Sequence, residues 1–341
     1  MPRRFAWAKL PDAELLKLRI KDLGVQLEGT WLEECVDELH AELGRRGIRI
    51  RPHAWLSDEW FSSEATPGIA VPFYLAHPRL MRLERKKIID VEGGSKAECM
   101  RILRHEAGHV MQHAYQLQRR RQWQKLFGRS STPYPKHYRP NPASRNYVQH
   151  LRLWYAQAHP DEDFAETFAV WMTPRAKWRR RYEGWHALKK LEYMDELMEE
   201  VGDTKPLLTG RSVIEPSNRN RQTLAAYYAE KQKRYVTEPP TVYDRDLKRI
   251  FSDDPKHRRA PTAAAFLRHH GPEIRRLVAK WTGQYQLTLD ALLDDMIARS
   301  RELKLRASGS ERKIVVEFTV LLTAKTVHSL YSRSRRRWFA L

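Results

Sequence analysis

Residues 103–116 read LRHEAGHVMQHAYQ, and the positions around the polar ones are apolar at helical spacing: Cys99, Ile102, Leu103, Ala107, Val110, Met111 and Ala114. Ser95 and Glu98 stand just upstream at capping-box spacing, and Gly93-Gly94 breaks the chain before them. The pattern predicts a long buried helix with His105, Glu106 and His109 inside it. Few features constrain a fold more. Two imidazoles and a carboxylate on a buried face need dedicated partners or a metal ion.

Residues four apart share a helix face, so His105 and His109 can point at one ion. Glu106 follows His105 directly and can take a proton from a water that zinc has made acidic, then pass one to a leaving amine. Two histidines do not complete a zinc site. His113 lies on the same face, but helical rise sets it about 12 Å from His105. A ligand at the fixed offsets of H-E-x-x-H-x-x-G-x-x-H is excluded, because Gln112 and Tyr115 occupy those positions.

The remaining ligand is expected in HPDEDFAETFAVW, residues 159–171. Glu162 and Glu166 are four apart, and Ala165 and Ala169 would let this helix approach the first one closely. One acid would bind the metal and the other would accept a hydrogen bond from a ligand histidine, fixing its tautomer. Compensation of the helix dipole explains Asp161 and Glu162 but leaves Glu166 unexplained.

The rest of the chain fills in the organisation. WLEECVDELHAELGRRG (31–47) reads as an amphipathic helix, and IRIRPHAWL (48–56) and GIAVPFYLA (68–76) as strands. The second of these is either an edge strand able to pair with an extended peptide or simply a buried strand. Residues 128–146 form a basic, proline-rich loop, followed by a helix at about 147–158. Pro239-Pro240 marks a linker, with helices after it. The division expected is an N-terminal helical segment (1–50), a central domain (51–235) and a helical C-terminal region (241–341). The fold class is α+β, mostly helical, with a small sheet.

Charge and cysteine content narrow the partners. Lys and Arg number 62 against 42 acids, a formal net charge of 62 − 42 = +20, which favours anionic partners. Cys35 and Cys99 stand far apart, which argues against a disulfide framework and suits a reducing compartment. The basic N-terminus lacks the apolar run of a signal peptide. The longest apolar run, IVVEFTVLLTA (314–324), is too short to span a bilayer and contains Glu317. A soluble, cytoplasmic protein is expected.

The paired motifs resemble those of gluzincins, zinc metallopeptidases with H-E-x-x-H on one helix and a glutamate ligand on a later one. Glu162-Asp163-Phe164-Ala165-Glu166 is similar to the E-x-x-A-E of the anthrax lethal factor catalytic domain, and Tyr155 holds the position of its tyrosine, seven residues before the glutamate. SDEWFSSEATPGIAVPFYLAHPRLMRLE, LRHEAGHV and HPDEDFAETFAVW together resemble bacterial sequences called putative zinc-binding metallopeptidases, over roughly residues 50–200. The resemblance implies a zincin-like domain with Zn2+ on His105, His109 and Glu162, Glu106 as general base, Glu166 orienting His105, and Tyr155 stabilising the oxyanion of a peptide or protein substrate. The basic loop suggests acidic substrates.

Two other readings use the same residues differently. A di-iron protein would pair Glu106 and His109 with Glu183 and His186 and take an acid from Glu162 or Glu166. A nucleic-acid-binding role, alone or beside peptidase activity, would use QRRRQWQK (118–125), RAKWRRRYEGW (175–185) and SRSRRRWF (332–339), where arginines alternate with aromatics.

Overall fold

The structure, a computed structural model, describes residues 5–135, 138, 141, 143–235 and 244–332. It is mostly helical with one three-stranded sheet. The chain divides into two compact units, Met1–Lys87 with Val91–Tyr228, and Ile88–Asp90 with Ala229–Leu341.

The first unit is built around the predicted helix, Lys96–Ala114, called here the His helix. Its Ser95 cap accepts the Glu98 N–H at 3.3 Å. The Glu98 carboxylate itself pairs with Arg152. Three layers meet on this helix. On one side lies the sheet, β1 (His53–Ser57), β2 (Phe61–Ser63) and β3 (Thr66–Pro72), in the order β1-β3-β2. On another lies the helix Trp31–Arg45, tied on by a buried bidentate pair in which Arg104 donates both Nε and Nη2 to Glu42 at 2.7 Å. The third is the helix Pro160–Met172, here the acid helix, which packs in turn on Ala187–Val201.

Strand β3 is not an edge. It pairs in parallel with β1, His53 opposite Gly68, and antiparallel with β2, Phe61 opposite Ala70. Both of its ladders are used and all of its residues are buried, which suits the unbroken apolar run GIAVP. The expected peptide-pairing edge is therefore closed, and β2 forms that side of the sheet.

The predicted helix at 147–158 is also replaced, by irregular chain and a short 3-10 helix, Arg152–Gln157. The backbone explains this. Gln149 N–H is donated to the Tyr182 hydroxyl and Leu151 N–H to the Glu166 carboxylate, at 2.9 and 2.8 Å, so neither can enter an α-helical ladder. Trp154 takes a left-handed backbone, φ 53°.

In the second unit, helices Asp244–Ile250, Ala263–Thr282, Gln286–Glu302 and Glu311–Ser332 enclose a core of Phe251, Leu267, Ile274, Leu289, Met296 and Phe318. The Pro239-Pro240 linker and residues 333–339 of the last arginine run lie outside the described residues. No described helix is long and apolar enough to cross a membrane.

Candidate metal centre

The two key helices touch through glycine. A Cβ placed on Gly108 would lie 2.8 Å from Ala165 Cα and 3.1 Å from its carbonyl oxygen, both backbone atoms of the acid helix. That crossing brings the ring nitrogens of one helix within reach of the carboxylates of the other.

The acid helix begins at His159, whose Nδ1 accepts the Asp161 N–H, with Pro160 in its first turn. Each acid that follows has its own partner, so the acids of this segment do more than offset the helix dipole. Asp161 accepts from Gln112 Nε2 at 2.6 Å and Ser130 Oγ at 3.0 Å. Asp163 pairs with Lys190 at 2.5 Å. Glu162 Oε2 faces His105 Nε2 at 3.1 Å and His109 Nε2 at 3.2 Å, and the two ring nitrogens are 3.2 Å apart.

These three atoms form a nearly equilateral triangle. Ligands about 2.0 Å from a tetrahedral ion stand about 3.3 Å from one another. The triangle therefore has the size of one face of such a tetrahedron, and His105, His109 and Glu162 form the one metal-sized group of such side chains among the described residues. Donor chemistry agrees with the geometry. His105 Nδ1 lies 2.9 Å from Glu166 Oε1, so its N–H points there and its Nε2 turns a lone pair toward His109 and Glu162. Lone pairs gathered around one buried point need a cation, a proton or a metal ion.

Proton affinities show the same need. Burial disfavours the His105 imidazolium, but hydrogen bonds and charge from Glu162 and Glu166 outweigh it and hold the pKa well above the usual imidazole value. His109 is raised by Glu162 against a similar burial cost. Burial works against the Glu162 and Glu166 carboxylates, yet the histidines hold both below the ordinary range.

Of the other expected residues, Glu106 is buried on the same turns of the His helix and has no protein hydrogen-bond partner among the described residues. Tyr155 stands with its ring 5.6 Å from that of His105. Burial first, then the charge of Glu162, raises the Tyr155 hydroxyl well above an ordinary phenol and keeps it protonated. His113 stays outside the triangle, its ring 6.4 Å from that of His109. Glu183 and His186 are both exposed and lie in a turn, not on a helix, so they do not supply the second half of a di-iron site. In the first two arginine–aromatic runs Trp123, Trp178 and Tyr182 are buried in the core and Trp185 is half-buried, while Trp338 and Phe339 of the third lie outside the described residues.

Tyr134 escaped the sequence reading. Its hydroxyl donates to Glu162 Oε1 at 3.0 Å from the loop between the two helices. The one available signal was its setting, a lone aromatic between Pro133 and Pro135.

The arrangement is a buried His/His/Glu cluster that could hold a metal ion. Residues 99–183, which include this centre, match the model of a family described as putative zinc-binding metallo-peptidases, and the match points to a peptidase-like hydrolase. No curated protein and no solved structure matches the chain significantly.

Proposed function

We propose that the chain is a zinc-dependent peptidase of the gluzincin kind, acting through His105, His109, Glu162, Glu106 and Tyr155. One observation carries the reading: a metal-sized triangle of donor atoms has a buried carboxylate, Glu106, on the same helical turns, with no hydrogen-bond partner among the described residues. Bound zinc would supply Lewis acidity toward the scissile carbonyl and a water acidified to near neutrality.

The protein's own groups do the rest. Glu106 accepts the proton of the attacking water and returns a proton to the leaving amine. It suits this because no hydrogen bond among the described residues ties it down. Glu166 keeps His105 in the tautomer that presents Nε2. Tyr155, held protonated, donates to the oxyanion as it develops. All these residues belong to the first unit, and the helical C-terminal unit contributes none of them. Peptides are the substrate class, with acidic ones favoured by the overall positive charge.

The test begins with metal content by mass spectrometry on untagged protein beside His105→Ala and Glu162→Ala. One zinc per chain is expected, lost in both variants. Glu106→Gln should keep the zinc and lose cleavage of a peptide library. Cleavage at an undiminished rate by Glu106→Gln would overturn the mechanism, and a folded chain that takes up no metal would overturn the whole reading.

A further inference from the structure

Glu162 has two oxygens and only one is spent on the histidines. Oε2 faces both ring nitrogens, whereas Oε1 accepts the Tyr134 hydroxyl at 3.0 Å. A carboxylate free at both oxygens can chelate a metal and take two coordination positions, one of which the water or substrate needs. We infer that Tyr134 is a positioning residue that holds Glu162 as a one-oxygen ligand and so keeps a coordination position open for substrate. The inference rests on the proposed metal site.

Three features show that Tyr134 is placed rather than passing by. Pro133 has a fixed φ, and Pro135 restricts Tyr134 itself to extended backbone, so the tyrosine leaves the loop in a set direction. Its ring lies flat on the His159 imidazole, centroids 3.7 Å apart and planes 14° apart. His159 is itself locked, because Nδ1 accepts the Asp161 N–H and Nε2–H donates to the Thr132 carbonyl at 2.7 Å. With Ser130 bonded to Asp161, the segment 130–134 is fastened to the first turn of the acid helix at successive points, ending on the ligand.

The position suits this role better than a purely structural tie. Tyr134 is 46% exposed although its hydroxyl reaches the buried Glu162, so the side chain runs from solvent to the carboxylate.

Tyr134→Phe tests the inference, since it keeps the ring on His159 and deletes only the hydroxyl. Zinc affinity, measured by competition with a chromophoric chelator, should fall about 10–100-fold. The Co2+-substituted protein supplies the readout that a structural role would not move. Four-coordinate Co2+ absorbs strongly in the visible and five-coordinate Co2+ weakly, so the variant's bands should weaken as Glu162 swings to chelate. A variant with unchanged affinity overturns the inference, as does one with weaker affinity but an unchanged Co2+ spectrum. If the wild-type protein binds neither metal, the proposed metal site itself fails and the role of Tyr134 falls with it.

Discussion

Glu166 Oε1 accepts the Nδ1–H of His105 at 2.9 Å while its other oxygen accepts the Leu151 N–H at 2.8 Å. One carboxylate thus fixes His105 and the segment that leads into the 3-10 helix carrying Tyr155. Glutamine cannot replace it. Its amide has one acceptor oxygen for two donors and would press its NH2 against one of them. Glu166→Gln should therefore lower metal affinity by about 10–100-fold. Chelator competition on the two proteins measures this, and equal affinities would show that Glu166 does not position His105.

Gly108 and Gly44 are both helical glycines, yet alanine should act on them in opposite senses. At Gly108 a Cβ meets Ala165 backbone at 2.8 Å, and a helix backbone cannot step aside as a side chain can. Overpacking there should cost about 1–3 kcal/mol, more than the roughly 1 kcal/mol that helix propensity returns. It should also weaken metal binding by spreading the two helices. At Gly44, near the end of the helix Trp31–Arg45, a Cβ meets nothing within 4 Å. Gly44→Ala should gain up to about 1 kcal/mol. Denaturant melts of both variants decide the matter; stabilisation by Gly108→Ala would mean the helices are not in contact there.

The His and acid helices were legible because a single period carried both signals. The residues that bury the helix and the residues of the His/His/Glu cluster repeat at the same 3.6-residue spacing, and Ala165 marked the close approach. Strand order was not legible, because β3 carries the same apolar run whether it lies in the middle or at an edge. The segment at 147–158 looked helical until two of its amides were claimed by Tyr182 and Glu166, residues distant in sequence. Tyr134 and the Asp163–Lys190 pair were hidden for the same reason: a hydrogen bond across the fold leaves no periodicity.

Protons and metal should compete for the His/His/Glu centre, and the signs can be stated. In metal-free protein the fold raises the His105 and His109 pKa values. Their contribution to stability is complete below the unfolded imidazole value of about 6.5 and is lost as pH rises through the folded values. Glu162 and Glu166 are lowered, so their contribution is present above about 4.5 and lost as pH falls. Metal-free protein should thus lose melting temperature on the alkaline side, where metal-loaded protein does not. Metal binding should release protons, read as a heat that depends on the buffer's ionisation enthalpy in calorimetry. Binding without proton release at neutral pH would contradict the raised histidines.

Asp163 and Lys190 form a buried pair beside the centre, at 2.5 Å, with the ammonium also 4.5 Å from the Tyr147 ring centroid. The second Asp163 oxygen is buried without a partner, and burial pushes the carboxyl up to about 7 despite the lysine. A folded value raised above the unfolded one makes this group's contribution largest in acid and erodes it as pH rises from about 4 to about 7. Asp163→Ala leaves the ammonium buried and alone and should cost about 3–5 kcal/mol. Lys190→Met should cost less below pH 7, where the carboxyl can hold its proton, and progressively more above it. The double variant Asp163→Ala with Lys190→Met should lose less than the sum of the two single changes, since no unpaired charge remains. Denaturant titrations of the metal-free proteins on either side of pH 7 measure all of these. Additive losses with no pH dependence would mean that the pair is not buried in solution.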